Sequence, residues 1–424
     1  KGTTIQSNGS ISGLASFFDS MFANGTSTGK LDITLNPGGT LMILDKPTGG
    51  NIKLSSVATT SSIASSLGHK VTINNASTKY KVYAVYRGKL EIDQNVNLDN
   101  DSTTTSPDAF YKVDFRSSTM TLNSGKTVTG TKGGQVALFQ GNYDEGGTSK
   151  GKVGDISVTN LGTIKLTGNS ITTGPAASRK TTTAMAGDFI TLTNKGTIEV
   201  SGNNGVGIYG AGGSKVTNAQ GASITVGQEG VALYGANRLG GSTLGDRTIS
   251  VTNAGTLKGI NGKTKAFGIF AENTLAVNKS TLTNSGTING NGEGAVGIAV
   301  NDSKATNSKN ATINLTAKKS TGMFGEVGST VTNAGTIETS TANPTTTEDG
   351  LVGIAVNAST ATNETTGQII LGTAYSTGMF GENNATNKST ITNKGSITGN
   401  KEKSVGMAVK GSTATNNSGA TITL

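Results

Sequence analysis

Few side chains in this sequence are of a kind that could do chemistry, and they are scattered. There is no Cys, a single histidine stands in Leu67-Gly68-His69-Lys70, and close acidic pairs occur at Asp99/Asp101, Asp144/Glu145 and Glu348/Asp349. Cleaving a polysaccharide takes converging carboxylates for acid and base work, often with calcium and a His or Arg at the cleft. Each of these pairs lies among turn-forming residues and reads as solvated loop charge, and His69 reads as an ordinary turn residue. Thiolate and multi-imidazole metal cages are out of reach, so no metal and no cofactor are expected. Neither a Gly-x-Ser-x-Gly elbow, a phosphate loop nor a calcium-binding glycine array is present. The chain is expected not to be an enzyme; a polysaccharide-degrading one would need three carboxylates brought into one groove.

A more ordered chemistry sits in a recurring phrase: Val206-Gly207-Ile208-Tyr209, Val231-Ala232-Leu233-Tyr234, Phe267-Gly268-Ile269-Phe270, Val296-Gly297-Ile298-Ala299 and four later copies. Its fourth position reads Phe270, Ala299, Phe324, Ala355, Phe380, Ala408; two residues on, the sequence reads Glu272, Asn301, Glu326, Asn357, Glu382, Lys410. Both columns alternate, so the unit is a pair of repeats, which keeps like charges and large rings apart. With Val296, Ile298 and Val300 pointing inward, Gly, Phe and Glu point outward. Phe270/Glu272, Phe324/Glu326 and Phe380/Glu382, continued by Tyr209 and Tyr234, then form a sugar-stacking face with carboxylate acceptors. Packing of Phe and Ala against a neighbouring strand or loop accounts for the same alternation. Three insertions, at 168–187, 237–247 and 258–265, gather Arg179, Lys180, Arg238, Arg247, Lys258, Lys263 and Lys265. They read either as a basic patch for an acidic glycan or protein, or as solubilising loop charge.

The elements that position these residues are set by a second phrase. Val158-Thr159-Asn160-Leu161-Gly162-Thr163-Ile164 recurs around Asn194, Asn253, Asn284, Asn333 and Asn393, with looser copies at Asn218, Asn307, Asn363 and Asn416. Steps between these asparagines average about 28 residues, the mark of a stacked repeat with variable loops. Each unit holds short β-prone runs punctuated by Gly and Asn, with no helical period. That pattern predicts an all-β fold, a right-handed parallel β-helix of about 13 coils over residues 71–424, handedness following from the general rule for parallel connections. Asn at the corner is expected to take the left-handed region and to stack its amide on its equivalents above and below. Residues 1–70 are expected to form a cap and the first irregular coils. Ile11, Leu14, Phe18, Met21 and Phe22 predict a short N-terminal capping helix over 10–23.

Composition fits a stack better than a set of globular cores. Of 424 residues, 62 are Gly, 33% are hydrophobic, 4% aromatic and 14% charged. A β-helix has only a thin inner column to fill. The net charge of +9 comes from dispersed lysines without an Arg-rich run, so no nucleic-acid partner is expected. Lacking an initial Met and stopping inside a repeat, the chain reads as a piece of a longer protein.

Val331-Thr332-Asn333-Ala334-Gly335-Thr336-Ile337, Val296-Gly297-Ile298-Ala299-Val300-Asn301 and Ser320-Thr321-Gly322-Met323-Phe324-Gly325-Glu326, Lys-rich and free of Cys, resemble the passenger regions of large fusobacterial type V autotransporter adhesins, the RadD-like outer-membrane adhesin family. The likeness covers residues 150 to 424 best. It implies a passenger displayed at the cell surface and anchored by its own C-terminal outer-membrane β-barrel, which lies outside this sequence. It also implies attachment to other bacteria or host cells through glycan or protein receptors. A purely structural stalk, with the ligand site elsewhere in the chain, fits the same repeats.

Overall fold

The computed structural model describes residues 119–141, 157–174, 180–237, 248–259, 264–273, 279–340, 350–384 and 386–424, with short strands and one turn among residues 3–114. Two compact units divide the chain, residues 1–199 and 200–424. Both are built from parallel strands stacked coil on coil into three sheets, as a right-handed parallel β-helix.

The second unit is the more regular. Its first sheet stacks Lys215–Asn218, Ser250–Asn253, Thr281–Asn284, Lys304–Asn307, Thr330–Asn333, Thr360–Asn363, Thr390–Asn393 and Thr413–Asn416. All are in register, so that each Asn lies opposite the next. Each strand is too short to hold itself and gains its hydrogen bonds from the coils on either side, about 4.8 Å away. Alternation of β-branched Thr outward and Val, Leu, Ile or Ala inward sets the face. A second sheet, from Ser223–Val226 to Thr421–Thr423, puts Ile224, Leu257, Ile288, Ile313, Ile337, Ile369 and Ile397 into the core, each fully buried. The third sheet, from Val206–Ala211 to Val405–Lys410, contributes Ile208, Leu233, Ile269, Ile298, Met323, Ile354 and Met379.

In the first unit, Lys89–Ile92, Thr119–Leu122, Ser157–Asn160 and Thr191–Asn194 form the equivalent of the first sheet. Nearer the N-terminus an antiparallel hairpin, Lys53–Val57 with Thr60–Ala64, lies between the coil strands Lys70–Ile73 and Lys89–Ile92. Among the described residues there is no α-helix. The helix expected over 10–23 falls outside them from residue 12 onward, and its first two residues, Ser10–Ile11, are a strand paired with Thr40 and Leu41.

The recurring Asn is not in the left-handed region. Positive φ falls instead at Asn204, Glu229, Lys265, Lys319, Tyr375 and Lys403 after the second sheet, at Asp302, Val327 and Ala358 after the third, and, in the longer corners that follow a ladder Asn, at Gly221, Asn310 and Gly419. Each ladder Asn is the last residue of an extended strand. Its Nδ2 donates to Oδ1 of the Asn one coil on: Asn160 to Asn194 at 2.7 Å, Asn253 to Asn284 at 2.7 Å, and Asn307 to Asn333 at 2.8 Å. The run continues from Asn218 through Asn363 and Asn393 to Asn416. Oδ1 also accepts the N–H of the Gly two residues on, as at Gly162, Gly196 and Gly286. That Gly is required by space: a Cβ on Gly196, Gly286 or Gly395 would fall on a backbone carbonyl of the coil beneath.

A serine ladder runs beside it, four residues before the Asn. Backbone N–H groups of Ser303, Ser329, Ser359 and Ser389 donate to the hydroxyls of Ser329, Ser359, Ser389 and Ser412 in turn, at 3.0–3.3 Å.

Two-coil periodicity reaches the core. At the corner from third to first sheet, Gly325 faces Val331 and Gly381 faces Ile391, and the buried residues in register with them in the alternate coils are Val300 with Ala305 and Val356 with Ala361. Large and small residues exchange sides from coil to coil, which keeps the filled volume constant at native packing density. A Cβ on Gly325 would stand 2.6 Å from Cγ2 of Val331.

Candidate functional site

The outward side of the third sheet carries the aromatic and acidic columns. Along Thr321–Glu326, Met323 and Gly325 are buried while Phe324 and Glu326 are half-buried and outward. Gly322 and its equivalents face inward, contrary to simple alternation. Register skips this position, pairing Val296 with Thr321 and then Ile298 with Met323, and a Cβ on Gly297 would stand 2.7 Å from the buried Ile313. The chain bends there, so Val296, Val352 and Val405 are partly exposed rather than core.

Tyr209, Tyr234 and Phe270 lie side by side in successive coils. Ring centroids are 5.2 Å apart for Tyr209 and Tyr234, edge to face, and 5.1 Å for Tyr234 and Phe270. Phe267 joins at 6.0 Å from Phe270. The Tyr234 hydroxyl donates to Glu272. Further along, Phe324 lies between Ala299 and Ala355, and Phe380 between Ala355 and Ala408, so those rings stand singly. Each remaining carboxylate of the column accepts from an amide one coil back: Glu326 from Asn301 at 3.0 Å and Glu382 from Asn357 at 3.4 Å. Asn273 likewise accepts from Asn237 at 3.0 Å.

Of the candidate basic residues, Lys180, Lys258 and Lys265 are among the described ones. Arg179, Arg238, Arg247 and Lys263 lie outside the described residues, as do His69, Asp101, Asp144, Glu145, Glu348 and Asp349. Lys258 is on a second-sheet strand, Thr256–Gly259, with its side chain exposed. Lys265 occupies a left-handed corner and pairs with Glu229 at 3.9 Å. Lys180 belongs to the first unit, where its backbone bridges to Ile171. Thr183–Asp188 is a third-sheet strand rather than insertion, paired with Val136–Gly141. Its sequence conceals it, because Thr183-Ala184-Met185-Ala186 lacks the Val-Gly-Ile phrase.

A polar groove of about 470 Å³ opens where the first sheet turns into the second. It arises because the corner after the ladder Asn alternates in length. Ser308-Lys309-Asn310-Ala311 and Glu364-Thr365-Thr366-Gly367 are long and stand out; Ala334-Gly335 and Lys394-Gly395 are short and lie low. Thr366 Oγ1 donates to the Ala334 carbonyl at 2.7 Å, tying the raised corner to the low one. Lys394 pairs with Glu364 at 3.3 Å. The only sequence signal for this groove is the spacing from Asn to the following Ile, which is longer after Asn307, Asn363 and Asn416 than after Asn333 and Asn393.

Among the described residues, no group of three or more His, Cys, Asp or Glu is placed to hold a metal ion, and no helix is long and apolar enough to cross a membrane. Residues 295–424 match the family described as the BigA third pectate lyase-like domain. No curated protein matches the chain. Among solved structures, the Streptococcus pneumoniae surface protein and adhesin PfbA is similar at a TM-score of 0.27 and 11% identity, over 81% of this chain and 91% of that one. The matched segment from Ala295 onward holds Phe324, Phe380 and the polar groove; the Tyr209–Tyr234–Phe270 row lies before it.

Proposed function

We propose that this chain is the non-catalytic passenger of a cell-surface adhesin, held at the outer membrane by a β-barrel of the longer protein, and that it attaches to a glycan or protein receptor through its third sheet. The observation that carries the reading is the contiguous row of Tyr209, Tyr234 and Phe270, half-buried on an outward face and joined by the Tyr234 bond to Glu272. A rigid aromatic row of this kind offers ring faces for sugar or apolar contact at little cost in side-chain entropy. Carboxylates in the column are held by neutral donors from neighbouring coils, which supports a recognition role over acid–base chemistry. The repeat resemblance supplies the cell-surface setting.

Beads coated with the folded chain are expected to bind target bacteria or epithelial cells. The triple substitution Tyr209→Ala, Tyr234→Ala, Phe270→Ala should lower attachment at least tenfold while circular dichroism is unchanged. Undiminished attachment by that folded variant rules out the third-sheet face.

A further inference from the structure

The groove at the alternating corners belongs to neither the aromatic face nor the fold's ladders, and its chemistry differs from both. Lining residues come from five successive coils, between Lys309 and Thr421, so the groove follows the stacking direction for about 19 Å at ~4.8 Å per coil. Its long side is the column Thr336, Gln368, Ser396 and Thr421, neighbours in register on the second sheet. Side-chain hydroxyls and an amide therefore recur once per coil along one edge. Its floor is the low backbone of Gly335 and Gly395, where no side chain stands between ligand and peptide groups. No aromatic or large aliphatic side chain lines it, so an apolar side chain of a peptide would find no pocket there. Lys309 is exposed at one end and faces no described carboxylate within ion-pair distance, whereas Lys394 is already paired with Glu364.

We propose that this groove binds a linear, acidic glycan: an extended chain of sugar rings whose hydroxyls bond the recurring Thr, Gln and Ser groups, with a carboxylate or sulfate seated at Lys309. An extended polyhydroxylated chain matches an edge that repeats one polar group per coil, and one unpaired ammonium gives it a preferred sign and register. The volume falls in the range of small-ligand sites. The groove lies on different sheets from the aromatic face, so the two readings fail independently.

The test is titration calorimetry of the full chain with a hyaluronan tetrasaccharide, against uncharged chitotetraose as control. Binding of the acidic probe is expected, weakening with added salt. Lys309→Ala should weaken it about tenfold, the loss of one charge-assisted hydrogen bond. Ser396→Tyr, an outward strand position that tolerates an aromatic, should abolish it by filling the groove without loss of fold. Lys304→Ala, which removes an exposed lysine of the first sheet outside the groove, should leave it unchanged. No binding at millimolar probe, equal binding of chitotetraose, or binding indifferent to Ser396→Tyr would each overturn the proposal.

Discussion

Asp99, in the turn Leu98–Asn100, has both carboxylate oxygens engaged. Oδ1 accepts from the Thr131 N–H at 2.8 Å and from Gln135 Nε2 at 3.1 Å, and Oδ2 accepts from the Thr131 hydroxyl at 2.8 Å. Partial burial pushes its pKa up, but the bonds from Thr131, Gln135 and Lys132 outweigh it and hold the carboxyl below its usual 3.8. A depressed folded pKa means the stabilisation is complete above the unfolded value and lost as pH falls through the folded one. Urea midpoints should therefore drop between about pH 4 and pH 2 more steeply in the native chain than in Asp99→Asn. Equal slopes would mean that these bonds do not favour the ionised form. Sequence alone places Asp99 in a solvated acidic pair, because its partners lie some thirty residues away on the next coil. The ladder asparagines are legible, since an amide that recurs at a near-constant interval between β-prone runs fits a stack and little else. Their backbone angle is not: the positive φ belongs to residues of mixed type, among them Asn204, Glu229, Lys265, Asp302, Val327 and Tyr375, at corners that carry no consensus residue.

Strands and corners carry the two-coil alternation, which the sequence displays on the surface as Phe with Ala and Glu with Asn but which also governs the core. Gly325→Val should destabilise the fold by about 1–3 kcal/mol through overpacking against Val331. Adding Val331→Ala reproduces the Val300/Ala305 arrangement and should recover most of that loss, a coupling readable by a double-mutant cycle in chemical denaturation. Additive losses would show that the exchange of volumes between sheets is incidental. The inward Gly of the third sheet escapes a strict period-2 reading because a bend after Val296 places Gly297 and Ile298 toward the same interior. Serines of the second ladder are visible four residues before each ladder Asn from Asn284 onward, yet in a chain so rich in Ser and Thr they carry no contrast. The polar groove is hidden for a related reason: it is written in corner lengths rather than residue types.

Across the second unit, the alternating partners predict that coils are interchangeable only in pairs. Deleting residues 296–351 removes two coils and brings Phe270 beside Ala355 and Glu272 beside Asn357, the contacts already in use. Deleting 296–320 removes one and sets Glu272 beside Glu326 and Phe270 beside Phe324. The single deletion should melt about 2–4 °C below the double, with the gap narrowing in high salt as the paired carboxylates are screened. Equal melting would place the repeat unit at one coil. Stacking into a parallel β-helix is readable at this scale because each copy of the phrase reports on its neighbours; the number of sheets is not, and comes from the structure. The antiparallel hairpin at Lys53–Ala64 is not, since it follows no repeat.

The asparagine ladder also has a direction. From Asn218 to Asn393 every amide gives a hydrogen to the Asn of the coil that follows, and from Asn253 to Asn416 every amide takes one from the coil before. Aligned amides polarise one another, so the column carries an electric moment that grows with each coil, acceptor toward Asn218 and donor toward Asn416. The two faces of any coil are therefore unlike, and stacking in the reverse sense would bring donor to donor. Vectorial assembly, each coil templated by the polarity of the last, is written into a single buried side chain.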